Sequence, residues 1–225
     1  QACKANDLDG CTGQATLYSK GQGVPRDDAK AETMFNEACV KGIGRACSGL
    51  GQRMRLKGDI KGSLPLFNRG CTLGYARACF YHASFGLKAG LPEAVALRSF
   101  ERACMGRDLR GCLGASVTAK AGDEAAQKRA PMYLDLGLKG LERACTANDG
   151  EACNTLGDYQ SGKYDPALHD ADKAKAYYEA ACKAGQTDAC APSGKPAGKH
   201  VPLPPPPRGP PPPPPRGPPK RPAKP

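Results

Sequence analysis

Apolar residues recur with a helical period over residues 11–47, and the pattern returns along the chain. Residues 11–20 (CTGQATLYSK) predict a short helix, broken by Gly21, Gly23, Val24 and Pro25. Pro25 suits the turn before a helix or its first position. Asp27 and Asp28 then fall in the first turn of a second helix, where negative charge complements the dipole. Ala31, Phe35 and Ala38 are spaced i, i+4, i+7 and give that helix one apolar face. Gly42 and Gly44 end it, and Ala46-Cys47 open the next. Helices of the first kind (A) are expected at about 8–20, 44–57, 75–89, 107–121 and 149–161. Those of the second kind (B) are expected at about 27–41, 63–72, 92–105, 124–146 and 168–184. Pro92 opens one B helix. With Ser63 as N-cap, Pro65 falls in a first turn. Pro131 is expected to split its B helix around residues 126–133. Residues 1–6 read as the end of a B helix, and residues 187–191 as the start of an A helix that stops.

Cysteine gives this pattern its register. The chain has 12 cysteines in 225 residues, and all fall into C-x7-C pairs. The pairs are Cys3 with Cys11, Cys39 with Cys47, Cys71 with Cys79, Cys104 with Cys112, Cys145 with Cys153, and Cys182 with Cys190. First cysteines follow one another at 36, 32, 33, 41 and 37 residues, and second cysteines at the same spacings. Insertions therefore lie between pairs and never inside them. A period in the thirties built from two helices is the mark of an all-α solenoid. About five helical hairpins between two half-units fill residues 1–190.

Along one helix, residues eight apart would sit about 12 Å apart, whereas a disulfide needs Cα atoms roughly 4.4–6.8 Å apart. A bond therefore requires a reversal inside each pair. Every pair holds a breaker, such as Gly42, Gly74, Gly106, Asn148 or Gly185. The leading reading is six disulfides, each pinning a B helix to the next A helix. Reduced structural thiols are the second reading. Metal is the third: zinc sites use closer cysteine spacings and often histidine. His82, His169 and His200 match no repeat position. No cofactor or metal is expected. Disulfides place the chain in the periplasm or outside the cell, with the mitochondrial intermembrane space as the alternative.

The pattern resembles the Sel1-like repeat family, in particular its cysteine-rich exported bacterial members, the Helicobacter cysteine-rich protein type. Tyr18-x-x-Gly21-x-Gly23-Val24-x-x-Asp27 carries the resemblance, with Ala31, Phe35, Ala38-Cys39, Gly42 and Ala46-Cys47. Ala181-Cys182, Gly185 and Ala189-Cys190 echo it, and Leu50-Gly51 and Leu156-Gly157 match the family's Leu-Gly in helix A. The resemblance covers residues 1–190. His82-Ala83 depart from it, as does the fourth unit at Pro131. It implies a right-handed α/α superhelix that acts as a non-catalytic interaction scaffold, with a protein or peptide on its concave face. It also implies an alternative, weak penicillin binding or β-lactamase-like hydrolysis.

Charge changes the picture only at the C-terminus. Residues 191–225 hold seven Lys and Arg, no acid and 17 of the 22 prolines. They account for +7 of the net +11, so the helical body carries only +4 and does not read as a nucleic-acid binder. The tail is expected to be a disordered polyproline segment serving as spacer or second contact. Arg208, Pro211, Pro214 and Arg216 give weak matches to proline-rich ligand motifs. No apolar run is long enough to span a membrane. The chain begins at Gln1 and reads as a processed or trimmed form, expected to be monomeric.

Catalytic signatures are missing. S-x-x-K, S-D-N and K-T-G do not occur, nor do G-x-S-x-G or the phosphate-binding glycine motifs. Ser84/Lys88 and Ser116/Lys120 share an i, i+4 spacing and read as solvated surface pairs before they read as Ser–Lys dyads. His82 reads as a packed or partly exposed helix residue. Tyr159, Tyr164, Tyr177 and Tyr178 read as packing first and as an aromatic binding patch second. Arg53, Arg55 and Lys57 read as a solvated face, with an acidic peptide in a concave groove as the sharper alternative.

Overall fold

The computed structural model describes residues 7–190. Among the described residues there are ten α-helices and no strand. They are α1 (Leu8–Lys20), α2 (Asp28–Val40), α3 (Gly44–Leu56), α4 (Ile60–Thr72), α5 (Ala76–Lys88), α6 (Glu93–Met105), α7 (Leu109–Ala119), α8 (Glu124–Thr146), α9 (Gly150–Gln160) and α10 (Ala171–Lys183). Two 3-10 turns, Pro166–Leu168 and Thr187–Cys190, complete them. Odd-numbered helices are of the A kind and even-numbered ones of the B kind. Each packs on its chain neighbours, so five hairpins stack into an α/α solenoid. No described helix is long and apolar enough to cross a membrane.

Aspartate starts most B helices. The Asp27, Asp59, Asp123 and Asp170 carboxylates accept the N–H of Lys30, Gly62, Ala126 and Lys173 at 2.9, 2.7, 2.8 and 3.0 Å. Each satisfies a donor that the first turn leaves without a helical partner. Pro92 is the N-cap of α6. B helices end in a tight reversal. The third residue after the first cysteine is left-handed in every described unit: Gly42, Gly74 and Gly185 at φ of 93°, 85° and 90°, and Arg107 and Asn148 at 67°. That reversal brings the cysteines together. Cys39–Cys47, Cys71–Cys79, Cys104–Cys112, Cys145–Cys153 and Cys182–Cys190 are disulfides with Cα separations of 4.6, 4.5, 4.5, 4.7 and 4.9 Å. Cys11 is disulfide-bonded as well. Cys3, and with it the Cys3–Cys11 pairing, lies outside the described residues, as do the expected helix end at 1–6 and the polyproline segment 191–225.

The core is thin because many of its large rings lie against glycine. Phe35, Phe67, Phe100 and Tyr178 stand four residues before the first cysteine of their units. A Cβ placed on Gly49, Gly51, Gly114 or Gly157 would come within 2.6, 2.8, 2.5 or 2.7 Å of these rings. Glycine in the A helix is what lets the B-helix ring lie flat against it. Phe67 and Phe100 are fully buried.

Four local expectations are corrected. Pro131 does not split its helix: α8 runs unbroken over 23 residues. Pro131 lies on the exposed side of α8, where the freed Gln127 carbonyl can turn to water, while Ala130 and Tyr133 hold the other side in the core. The second B helix starts at Ile60 with Asp59 as cap, not at Ser63. Ser63 is buried and donates to the Ile60 carbonyl at 2.6 Å, and Pro65 sits on the exposed side beyond the first turn. The last B helix starts at Ala171, because Pro166–Leu168 forms a separate turn before it. Residues 187–190 form a 3-10 turn rather than the first turn of an α-helix.

Candidate functional site

Neighbouring A helices α1, α3, α5 and α7 pack on one another more extensively than neighbouring B helices do. A stack that is tighter along one row curves toward it, so the A helices form the inner row. Helical spacing puts Arg77, Tyr81, Ser84 and Lys88 on one stripe of α5. The matching stripes are Arg110, Gly114 and Val117 on α7, and Glu151, Thr155 and Asp158 on α9. On α7 the stripe turns into the core beyond Arg110, with Gly114 under the Phe100 ring and α7 buried from Gly111 to Ala119. Side chains of α5 and α9 meet across its N-terminal end: Arg77 Nη2 lies 3.8 Å from Glu151 Oε2. The furrow across three units is therefore confined to the ends of α5, α7 and α9 that follow the B helices.

At the rim where B helices hand over to A helices, the furrow opens into a cavity of about 560 Å³ lined by Arg77, Asp108, Arg110, Glu151 and Thr155. Two residues before the second cysteine, the row of side chains reads Asp9, Arg45, Arg77, Arg110, Glu151, Asp188. Arginines in the middle are flanked by acids at both ends. Arg110 Nε and Nη2 donate to both Asp108 oxygens at 3.0 and 2.8 Å, and its Nη1 donates to Glu151 at 2.6 Å. Its guanidinium also lies 4.6 Å from the Phe80 ring centre. Burial opposes the Arg110 charge, but the Asp108 hydrogen bonds and the fields of both carboxylates outweigh it and raise its pKa. Asp108 is the N-cap residue of α7 yet makes no side-chain cap bond.

The opposite rim gathers cations. Arg55 lies 5.0 Å from the Phe85 ring centre and donates to Gln52 at 2.8 Å. The Lys88 side chain, one turn beyond Ser84 and three residues past Phe85, makes no hydrogen bond or ion pair among the described residues. Lys163 follows α9, 3.3 Å from Asp158 Oδ2. Burial of part of the Lys88 side chain, followed by the charges of Arg55 and Lys163, holds its ammonium below the ordinary lysine value.

Several residues singled out from sequence sit elsewhere than expected. Ser84 and Ser116 are 0 % and 1 % exposed, so they are not solvated. Neither hydroxyl has a hydrogen-bond partner, so neither is bonded to its lysine, and Lys120 pairs with Asp165 instead. Arg53 is buried and pairs with Asp28 at 2.8 Å, Lys57 pairs with Glu32 at 2.6 Å, and only Arg55 reaches the cation group. His82 is buried, with Nδ1 3.0 Å from Ser99 Oγ, and burial lowers its pKa. Tyr159, Tyr164 and Tyr178 are buried, so three of the four tyrosines pack rather than form a patch. Tyr178 donates to Asp158 at 3.0 Å, and burial, then the Asp158 charge, raises its pKa. The arginine row was visible in the sequence as Arg-Ala-Cys, Arg-Ala-Cys and Arg-Gly-Cys, a signal the cysteine spacing overshadowed. No group of His, Cys, Asp or Glu suited to a metal ion occurs among the described residues.

With this geometry in place, a solved structure shows the fold. The chain has the fold of the Sel1 repeat proteins, an α/α solenoid stapled here by disulfides. It is similar to a Sel1 repeat protein from Oxalobacter formigenes, 22 % identical over 81 % of this chain and 73 % of that one, at a TM-score of 0.55. It is also similar to a protective antigen of uropathogenic Escherichia coli strains displaying an SLR fold. That likeness is 18 % identity over 84 % of this chain and 48 % of the other, about half its length, at a TM-score of 0.46. No family model matches the chain, and no curated protein does.

Proposed function

We propose that this protein is an exported, non-catalytic interaction scaffold that holds a protein or peptide in the furrow of its inner row. One observation carries the reading: a furrow that crosses three repeat units, opens into a cavity of about 560 Å³ and is bordered by Arg77, Asp108, Arg110 and Glu151. That shape suits an extended ligand better than a compact small molecule. The solenoid would occupy residues 1–190, as a monomer, and residues 191–225 would add reach or a second contact. Disulfides in every described repeat support export to the periplasm or beyond, with the intermembrane space as the alternative compartment. Penicillin binding or β-lactam hydrolysis has no observation in its favour. The two candidate serines are buried and unbonded to lysine, and Ser99, which meets His82, is buried as well and donates to the Val95 carbonyl.

The test is photocrosslinking in the full oxidised chain. A photoreactive residue replaces Thr155 in the furrow or Met132 on the exposed side of α8. Adducts to one extracytoplasmic protein from position 155 and none from position 132 are expected. Adducts from position 132 alone would overturn the furrow reading, and adducts lost only on removal of residues 191–225 would move the function to the tail.

A further inference from the structure

The two rims of the inner row differ in charge balance, and that difference names the chemistry of a partner. At the cavity end Arg77 and Arg110 both meet carboxylates. At the other end Arg55, Lys88 and Lys163 share one field, and Asp158 is the single carboxylate among them. It is buried and already shared between Lys163 and the Tyr178 hydroxyl. Arg55 is fixed rather than free, because its guanidinium lies over Phe85 and its Nε is held by Gln52. Lys88 emerges from the last turn of α5, beside that ring. The position equivalent to Lys88 in the preceding unit is Leu56, which is 66 % exposed. Cations near a helix C-terminus are common, because they complement the dipole. That explains each basic residue singly. It does not explain why three of them, from α3, α5 and the segment after α9, converge with only the buried Asp158 beside Lys163 and no carboxylate paired with Arg55 or Lys88.

We propose that this rim is the anchoring point for an acidic peptide, whose carboxylates bridge Arg55 and Lys88 while an adjacent apolar side chain rests on Leu56. The proposal rests on the scaffold reading above and specifies its ligand. Like charges held together at a part-covered surface raise the free-state energy, and a bound carboxylate relieves that repulsion. The arrangement therefore favours an anionic partner over a neutral one through its on-rate and its specificity. The chain's own C-terminal segment is not the occupant. Residues 191–225 carry seven positive charges and no acid, so this rim repels them.

Two synthetic hexapeptides test it against the full oxidised chain. One carries four Glu and two Leu; the other has Gln in place of each Glu. Binding is read by chemical-shift changes of 15N-labelled protein. The Glu peptide should bind at least about fivefold more tightly than the Gln peptide, and salt raised from about 0.05 to about 0.3 M should narrow the gap. Shifts should centre on Arg55, Leu56, Lys88 and Lys163. Lys88→Met and Arg55→Met should each weaken the Glu peptide about fivefold and leave the Gln peptide unchanged. Lys128→Met, on the exposed side of α8, should change neither. Equal binding of both peptides with shifts at this rim or in the furrow would overturn the acidic assignment and leave the scaffold reading standing. Shifts away from both, or none with either peptide, would overturn the proposal itself.

Discussion

Where B helices hand over to A helices, Arg77 and Arg110 meet Asp108 and Glu151, and the five described disulfides lie in the same layer. Among the described residues, there is no disulfide where A helices hand over to B helices, and Arg55 and Lys88 make no ion pair there. The first rim is closed covalently and ionically. The second is held by caps such as Asp27 and Asp59 and by pairs such as Lys57–Glu32 and Lys120–Asp165, and leaves Arg55 and Lys88 without a carboxylate. On the proposed function, stability and recognition are carried by opposite edges of one repeat. A solenoid can vary its binding edge freely so long as the other edge holds the stack, because each unit contacts only its neighbours.

Reduction is the strongest way to break this comparison. Each bridge closes a nine-residue loop, worth about 2.5 kcal/mol in the chain-entropy model, so five total on the order of 12 kcal/mol. That matches the whole stability of an ordinary domain. Full reduction should abolish helical circular dichroism at ambient temperature. The order of loss is also set. Cys39, Cys47, Cys71, Cys79, Cys112 and Cys153 are buried, whereas Cys190 is exposed and its bridge joins α10 to a single 3-10 turn. Mass spectrometry after limited reduction and alkylation should find Cys182 and Cys190 modified first, with the helices intact. Simultaneous loss of all bridges would show that they open only on global unfolding.

Arg110→Ala should have the next largest effect. It leaves Asp108 and Glu151 without their main partner and removes the guanidinium from Phe80. Breaking a largely buried ion pair at one end costs about 2–4 kcal/mol at this degree of burial. For a chain of this size that lowers Tm by roughly 5–12 °C. Calorimetry of the oxidised variant checks it. A fall of about 1 °C would show that the arginine row serves ligands and not the stack.

How much of this was legible in the sequence follows from where each signal resides. The twelve cysteines fix unit boundaries because the tight reversal inside each pair keeps their spacing constant, so helix order and type could be read directly. Helix starts were less legible. Asp59 and Ser63 are both good caps, and packing of Phe67 decided between them. Pro131 argued locally for a break, but its exposure belongs to the folded stack, and no local rule reports it. Ser84 and Ser116 look like surface residues for the same reason. They are buried because α5 and α7 are covered on both sides, a consequence of curvature that no single repeat encodes. The furrow was least legible, since Arg77 and Glu151 lie 74 residues apart and meet only because α7 offers small residues between them.

His82 sharpens the comparison from inside the stack. Ser99 Oγ donates to the Val95 carbonyl at 3.1 Å, so the network assigns the proton of the neutral imidazole to Nδ1, which donates to Ser99. Burial lowers the folded-state pKa below the usual 6.5. The unfolded chain therefore binds a proton more readily, and stability present above about pH 6.5 is lost as pH falls toward the folded pKa. Denaturant midpoints measured from about pH 7.5 down to about pH 5 should fall, and the slope should shrink in His82→Asn, whose amide can still donate to Ser99. An unchanged slope would place the pH sensitivity elsewhere.

The smallest expected effect is the most discriminating. If the cation rim serves recognition and contributes nothing to the stack, Lys88→Ala should leave stability within about 0.5 kcal/mol of the parent, the range of ordinary surface changes. Two opposing terms set the sign. The covered part of the side chain loses packing, and Arg55 and Lys163 lose a like charge. At low salt the second term grows, so the variant should gain stability relative to the parent as salt is lowered, whereas Arg110→Ala should lose it. Paired melts at about 0.02 and about 0.3 M salt read both trends. Opposite salt slopes would show that one rim uses charge to hold the protein and the other tolerates a charge cost that a ligand relieves. Parallel slopes would mean that Lys88 has a partner in solution, and the contrast between the rims would collapse.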